Sequence, residues 1–315
     1  MHNKTILITM GDPSGIGPEV VVKSLLNQRI NKQARFIVVG DHFVLNKIKG
    51  FKHLEKDIEL IDLENVGRKS FSFGKVKAEY GKAAIAYIDK ALDLIKERGI
   101  KALVTAPVSK EAIALTNKDF SGQTGYLAKK TNAKHTAMLL VNDKLKVALV
   151  TQHIPLKDVA EKITTAKICE IIKLTSAFLK KFYHIKSPNI AISSINPHAS
   201  DNGLIGDEED AKIIPAIKRI KAQVNCHGPY PADTLFNLAL ANKFDAVIAM
   251  YHDQALIPLK ITGKMSGVNI TAGLPFIRVS PLHGTAFDIA GKNKANPSSM
   301  ISAINISQKF LKNVS

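Results

Sequence analysis

Short apolar runs alternate with amphipathic stretches along almost the whole chain. The apolar runs predict β-strands at residues 4–10, 34–40, 102–105, 136–141, 146–151, 189–195 and 246–250. The amphipathic stretches predict helices at residues 18–26, 83–98, 163–182, 208–223 and 234–241, and a last helix begins near Pro297. Because strands alternate with helices, the pattern predicts a doubly wound, largely parallel α/β fold.

One segment departs from this alternation. Between residues 135 and 151, the runs HTAMLLV and KVALVT are joined only by the polar stretch NDKL. Two strands joined by so short a polar turn predict a β-hairpin. Such a hairpin either projects as a dimer arm or lies at an edge of the sheet.

Three predicted strands are each followed within about three residues by a histidine. His153 follows KVALVT, His198 follows NIAISSI and His252 follows AVIAM. Parallel sheets bind ligands beyond the carboxyl ends of their strands, so three histidines there indicate a metal site. Imidazole ligands suit zinc, cobalt or manganese better than magnesium. A metal with open coordination positions acts as a Lewis acid on a hydroxyl or carbonyl oxygen.

Other strand ends carry residues suited to anions. GDPSGIGPE, residues 11–19, is a glycine loop that opens a helix; it either binds a ligand or only forms a tight turn, and it is not the GxGxxG pattern. Ser109 and Lys110 either contact an anion or cap a helix. Lys260 and Arg278 suit a substrate with phosphate and carboxylate groups, and the irregular stretch from His283 to Asp288 suits a cofactor.

The composition narrows the function classes. The 315 residues carry a net charge of +17, but the lysines are spread over most helices among acids. This distribution disfavours nucleic-acid binding and favours an anionic small substrate. We expect no membrane segment and no signal peptide, and the two cysteines, Cys169 and Cys226, indicate no disulfide framework. A cytoplasmic location is therefore expected.

The motifs together resemble one enzyme family. GDPSGIGPE, TAPVSKEA, TQHIPL, NPHASDNGLIGDEE, GPYPADTLF, AMYHDQALIPLK, GVNITAGLPFIRVSPLHGTAFDIAG and ANPSSM occur in order over residues 11 to about 300. They resemble the 4-hydroxythreonine-4-phosphate dehydrogenases of vitamin B6 biosynthesis. GDPSGIGPE and HGTAFDIAGKNKANP are also similar, more distantly, to stretches of isopropylmalate and isocitrate dehydrogenases.

The resemblance assigns roles residue by residue. It implies metal ligation by His153, His198 and His252, with zinc, cobalt, manganese or magnesium bound at a homodimer interface. It implies substrate contacts from His135, Thr136, Lys260, Asn269 and Arg278, with Asp233 close by. Lys260, Asp253 and Asp233 are the candidate general bases, although Asp253 could equally orient His252.

The resemblance also implies a cofactor and a reaction. NAD or NADP would lie against Gly11, Gly15, His283, Gly284, Asp288 and Asn296. The implied reaction oxidises 4-phosphooxy-L-threonine at C3 and releases CO2, giving 3-amino-2-oxopropyl phosphate. The alternatives are a dehydrogenase of another four-carbon phosphate, 4-phospho-D-threonate or phosphoerythronate, and a metal-dependent binding protein. One departure concerns Gly125, which stands where the resemblance leads us to expect a glutamate.

The implied architecture has two parts. It is an isocitrate dehydrogenase-like fold of two α/β/α subdomains with a cleft between them and a non-Rossmann NAD site. Residues 1–125 plus 253–315 would form the cofactor-side subdomain. Residues 126–252 would form the subdomain for metal, substrate and dimerisation. We expect neither nucleic acid nor a membrane as partner.

Overall fold

The computed structural model describes residues 4–30 and 34–313, which form two compact units. Unit 1 comprises residues 1–132 and 274–315, and unit 2 comprises residues 133–273. The second boundary lies later than the predicted one, so residues 253–273 belong to unit 2. The reason is that this segment forms a helix packed on unit 2's strands and a strand paired within its sheet.

The described residues of unit 1 form five strands that all run in the same direction, in the order β3-β2-β1-β4-β11. The strands are β1 (Thr5–Thr9), β2 (Arg35–Gly40), β3 (Glu59–Asp62), β4 (Ala102–Thr105) and β11 (Ile277–Pro281). The helices are α1 (Gly17–Leu25), α2 (His42–Leu45), α3 (Phe51–Leu54), α4 (Ala78–Arg98), α5 (Lys110–Ala114), α6 (Gln123–Lys130) and α12 (Ser298–Asn313).

The packing at the centre of unit 1 explains why its strands are continuous apolar runs in the sequence. Every residue of β1 is buried, because β2 and β4 pair with its two sides and helices α4 and α12 pack against it. Helix α4 contributes Tyr80 and Tyr87 to the core and ends at Gly99, which has a left-handed φ of 63°.

Unit 2 contains six strands in the order β10-β5-β6-β9-β7-β8. They are β5 (Ala137–Val141), β6 (Lys146–Leu149), β7 (Ile190–Ser193), β8 (Cys226–Tyr230), β9 (Ala246–Ala249) and β10 (Val268–Ala272). The helices are α7 (Val159–Lys162), α8 (Thr165–Tyr183), α9 (Ile214–Ile220), α10 (Ala232–Leu240) and α11 (His252–Gly263). Thr164 caps the N-terminus of helix α8 by accepting the Lys167 N–H on its side chain, and His184 caps the C-terminus.

The predicted hairpin is confirmed as β5 and β6, which pair antiparallel. The Asn142 side chain holds its turn by accepting the N–H groups of Lys144 and Leu145. The hairpin is neither a projecting arm nor an edge, because β10 pairs with β5 on one side and β9 pairs with β6 on the other. Its strands are buried for this reason.

The α/β class predicted from the alternation of strands and helices is confirmed, but several strands and helices were missed by the prediction. Strands β3, β8, β10 and β11 and helices α2, α3, α6, α7 and α11 were not predicted. Helix α11 begins at His252 itself, and Pro258 lies in its interior. A proline inside a helix removes one backbone hydrogen bond, so a proline in the sequence argues against predicting a helix there. Among residues 4–30 and 34–313, no helix has the length and apolar character that crossing a bilayer requires.

Candidate functional site

One edge of the unit 2 sheet gathers most of the predicted metal and substrate residues. Strands β10, β6, β9, β7 and β8 run in one direction and β5 runs against them. The carboxyl ends of five strands and the start of β5 therefore share this edge. The residues that follow or precede these strand ends are His135, Thr136, His153, His198, Asp233 and His252.

His153 and His252 lie next to each other at this edge. Their ring centroids lie 5.3 Å apart, and both rings line an open cavity of about 420 Å³ with Gln152, Tyr251 and Asp253. Residue pairing explains this proximity, because β6 and β9 are parallel neighbours and their ends lie side by side. The structure thus brings two of the three predicted metal ligands together.

Asp253 holds the His252 ring. Its Oδ1 atom lies 2.6 Å from Nδ1 of His252, the first residue of α11. A carboxylate at Nδ1 favours a proton on that nitrogen and leaves the lone pair of Nε2 available to a ligand. This contact agrees with the orienting role that the sequence left open for Asp253.

His198 is presented differently. It follows β7 by five residues and lies exposed in a turn from Pro197 to Asp201 whose φ values are positive from His198 onward. The described part of the chain contains no group of three or more His, Cys, Asp or Glu residues arranged to hold a metal. Within one chain, therefore, His198 does not complete a metal site with the other two histidines.

The predicted substrate residues of unit 2 do not converge within one chain. His135 turns toward α8, where its Nδ1 lies 3.1 Å from Oε2 of Glu170 in a separate cavity of about 520 Å³. Lys260 is exposed on α11, two turns beyond His252, which corresponds to about 12 Å along a helix. Asn269 lies in β10 opposite Leu140, and its Oδ1 is buried with no hydrogen-bond partner among the described residues.

Arg278, on β11 of unit 1, is the buried cation among the predicted substrate residues. Its side chain is 2% exposed and donates from Nη2 to Oγ1 of Thr105 at 2.8 Å, with Thr124 Oγ1 at 3.5 Å from Nη1. Burial lowers the pKa of Arg278 to about 10, because a low-dielectric interior disfavours its charge. A bound anion would reverse that penalty, so this position suits a phosphate or carboxylate group.

The predicted cofactor residues share one edge of unit 1. Gly11 follows β1 with a φ of 79°, and a Cβ there would lie 2.4 Å from the Pro107 carbonyl oxygen. A Cβ on Gly15 would lie 3.0 Å from Thr285, whose carbonyl accepts the Ile16 N–H at 2.9 Å. The glycine loop and the segment from His283 to Asp288 are thus brought into contact, as the prediction of one site requires.

The segment after β11 is fixed to α1 by a buried carboxylate. Glu19 is 2% exposed, and its Oε1 accepts the Ala295 N–H at 2.7 Å and the Lys23 ammonium at 2.8 Å. A Cβ on Gly284 would meet nothing within 4 Å, which leaves open space beside the backbone. Burial lowers the pKa of His283, opposed by its bond with the Gly284 carbonyl. Asp288 and Asn296 are exposed, and Asn296 accepts the Ser298 N–H at the start of α12.

Three buried polar residues of these edges were missed. Asp12 accepts the Ser14 N–H at 2.9 Å, and burial raises its pKa to about 6. Gln254 accepts the Met250 N–H and donates to the Ser194 carbonyl, both at 2.7 Å, which ties the ends of β9 and β7 together. Glu209 supports the segment before His198. The sequence shows the motifs that contain these three residues, but it does not show that they are buried. Burial is what distinguishes them from polar residues on the surface.

Comparison with known proteins gives consistent relatives. A D-threonate 4-phosphate dehydrogenase of Salmonella typhimurium is 40% identical, over 98% of this chain and 100% of its own. A 4-hydroxythreonine-4-phosphate dehydrogenase of Sulfurihydrogenibium sp. is 42% identical over 96% of both chains. The crystal structure of the 4-hydroxythreonine-4-phosphate dehydrogenase of Klebsiella pneumoniae superimposes with a TM-score of 0.86 at 37% identity, covering 98% of this chain and 99% of that one.

A distant neighbour extends the likeness to the fold. The isocitrate dehydrogenase of Methylococcus capsulatus matches with a TM-score of 0.54 at 14% identity, over 100% of this chain and 87% of that one. The predicted isocitrate dehydrogenase-like fold is thereby confirmed. The family model described as "Pyridoxal phosphate biosynthetic protein PdxA" matches residues 12–307, nearly the whole chain. The chain therefore belongs to the PdxA family of dehydrogenases, as its motifs predicted.

Proposed function

We propose that this protein is an NAD(P)-dependent dehydrogenase that oxidises and decarboxylates a phosphorylated four-carbon hydroxy acid. The observation that carries the proposal is the pair His153 and His252 at the strand-end edge of unit 2, in a chain of a dehydrogenase family. The first candidate substrate is 4-phosphooxy-L-threonine, in vitamin B6 biosynthesis. The second is 4-phospho-D-threonate, because relatives of equal similarity carry either name.

The imidazole pair fits a divalent metal. Asp253 occupies Nδ1 of His252, which is the arrangement that directs Nε2 of a histidine toward a metal. His153 and His252 of one subunit would hold the ion, with His198 supplied by a second copy of the chain. A divalent cation at this site supplies Lewis acidity toward the substrate hydroxyl.

The edge of unit 1 fits a dinucleotide. The positive φ of Gly11 and its closeness to the Pro107 carbonyl oxygen leave no room for a side chain. Gly284 has open space beside its backbone. Gly11, Gly15, His283, Gly284, Asp288 and Asn296 would line the cofactor. The nicotinamide supplies the hydride acceptor.

The remaining residues bind and orient the substrate. Arg278 offers a buried guanidinium to a phosphate or carboxylate, and the Asn269 amide has an unused acceptor. During the reaction the substrate loses a hydride from C3 and a proton from its C3 hydroxyl. The resulting β-keto acid then loses CO2. Because Asp253 is engaged with His252, Lys260 and Asp233 are the better candidates to accept the hydroxyl proton.

A second copy of the chain would complete the site. Helix α11 exposes Ile257 and Ile261, which are 59% and 74% exposed and lie on one helical face. Leu156, beside His153, and Leu204, after the His198 turn, are 73% and 87% exposed. Apolar side chains this exposed favour association with another protein surface. They lie beside His153 and His252 and beside the His198 turn, which favours a homodimer whose subunits share the metal sites.

The direct test is a substrate panel assayed for NADH and NADPH formation after chelation and metal addition. We expect turnover with 4-phosphooxy-L-threonine or 4-phospho-D-threonate, and only with added divalent metal. His252→Ala should abolish the metal response, whereas His53→Ala, an exposed histidine of unit 1, should retain it. Full activity of His252→Ala after chelation, or no turnover with any four-carbon phosphate, would contradict the proposal.

A further inference from the structure

The turn that carries His198 has a backbone conformation that its residues do not favour. From His198 to Gly203 the φ values are 52, 54, 68, 44, 56 and 89°, so six successive residues are left-handed. Only the last is glycine. For other residues the left-handed region costs roughly 1–2 kcal/mol each, and such a run persists only when its surroundings hold it.

A single buried carboxylate holds the start of this turn. Glu209 is 1% exposed, and its Oε1 accepts the backbone N–H groups of Ile195 and Asn196 at 2.8 and 2.9 Å. Its Oε2 accepts Nδ2 of Asn196 at 2.8 Å. Three hydrogen bonds from one charged group thus fix the two residues that precede Pro197 and His198.

The neighbouring Glu208 makes a contrasting contact. It is half-buried and accepts Nδ2 of Asn196 at 2.6 Å, with no bond to the backbone of residues 195 and 196. On the other side of the segment, Ser194 donates from its hydroxyl to the Asn196 carbonyl at 2.9 Å. Because Gln254 bonds the Ser194 carbonyl, the His198 turn is tied to the strand end that carries His252.

We propose that Glu209 is a positioning residue for His198. By clamping the N–H groups of Ile195 and Asn196, it sets the direction in which the left-handed turn leaves β7 and so the place where His198 presents its imidazole. The inference rests on the proposed function, since it assigns His198 to the metal. A carboxylate bonded to two main-chain N–H groups is suited to this task because charged acceptors form stronger hydrogen bonds than neutral ones.

The test is metal affinity and the absorption spectrum of the cobalt-loaded chain. Glu209→Ala and the milder Glu209→Gln are titrated with Co²⁺ and Zn²⁺ against a competing indicator, with Glu208→Ala as the matched control. We expect about 10- to 100-fold weaker metal binding in Glu209→Ala, and an altered visible cobalt spectrum. Glu209→Gln should fall between it and the parent, because its oxygen still accepts both backbone N–H groups, and Glu208→Ala should match the parent.

The outcomes separate this inference from the function it rests on. Parent-like affinity and spectrum in folded Glu209→Ala overturn the positioning role alone, as does an equal loss in Glu208→Ala. If Glu209→Ala does not fold, parent-like values for Glu209→Gln together with a parent-like hydrogen-exchange rate in residues 195–205 overturn it. A parent chain that binds neither metal, or binds it equally after His198→Ala, overturns the proposed metal site as well.

Discussion

At the scale of single residues, the contact between Asp253 and His252 favours one of the two roles predicted for this carboxylate. A general base must face the substrate hydroxyl, whereas Oδ1 of Asp253 lies 2.6 Å from the imidazole Nδ1. That contact fixes the orientation of the ring. Asp253 therefore contacts a predicted metal ligand, and we expect its effect on catalysis to pass through metal binding.

Asp253→Asn should therefore weaken metal binding about 10- to 100-fold while leaving kcat near that of the parent at saturating metal. The measurement is activity as a function of free metal concentration, with Glu161→Gln, an exposed carboxylate of α7, as control. A kcat that stays low at every metal concentration would instead identify Asp253 as the base.

Asp12 is a second residue whose environment sets its behaviour. Burial raises its pKa from 3.8 to about 6, opposed by backbone N–H groups such as that of Ser14. Between these two pH values the folded chain binds more protons than the unfolded chain. The free energy of unfolding therefore falls as the pH rises through this window, by up to about 3 kcal/mol for a shift of this size.

Asp12→Asn removes that titration. We expect the free energy of unfolding of the variant, relative to the parent, to increase between pH 4 and pH 7 and to level off above it. Denaturant unfolding at several pH values measures the difference. Parallel curves for the variant and the parent would show that Asp12 is not buried as a carboxylic acid.

At the scale of elements, two departures from regular geometry shape the edge of the unit 2 sheet that carries the predicted metal ligands. Helix α11 starts at His252, so this histidine faces the edge from a helix terminus while Lys260 is carried two turns away. The His198 turn follows β7 through six left-handed residues. Both features place an imidazole by backbone conformation, which side-chain patterns do not report.

The strain in this turn can be relieved at Ala199, which has a φ of 54°. Ala199→Gly should stabilise the chain by about 1 kcal/mol, since glycine enters the left-handed region without steric cost. Thermal and denaturant unfolding measure the change. The control Ala128→Gly, inside α6, should destabilise by about 1 kcal/mol, and a similar loss in Ala199→Gly would contradict the strain.

At the scale of the whole molecule, one chain brings together only two of the three predicted metal ligands, beside exposed apolar side chains. His153 and His252 meet, His198 stands apart, and the described residues form no three-ligand group. A homodimer would resolve both facts at once, because the partner would cover Ile257 and Ile261 and supply the third histidine. Assembly and metal binding should therefore be linked.

Ile261→Lys tests this link, since a lysine on the covered face of α11 would bury an unpaired charge in the dimer. We expect the parent to sediment as a dimer and the variant as a monomer with metal affinity reduced at least about tenfold. Leu115→Lys, at a similarly exposed leucine of unit 1, should remain a dimer. A monomeric variant with parent-like metal affinity would show that each site is complete within one chain.

The sequence by itself determined the α/β class, the hairpin and the identity of the strand-end residues. These follow from local periodicity and from motifs that lie within single segments, as in β1, whose five residues are all buried. The prediction missed α11 because that helix contains Pro258, and it missed β10 although the run VNITA alternates apolar and polar residues. Motif order alone could not show which ligands meet.

The tertiary structure decided the geometry of the site. Parallel pairing of β6 with β9 brings His153 to His252, and a contact across 276 positions of sequence fixes the segment after β11 through Glu19. Burial makes Arg278 and Asp12 unusual among the cations and acids of the chain. Pairing and burial arise from residues distant in sequence, which is why a linear pattern names the candidates while the fold determines their neighbours.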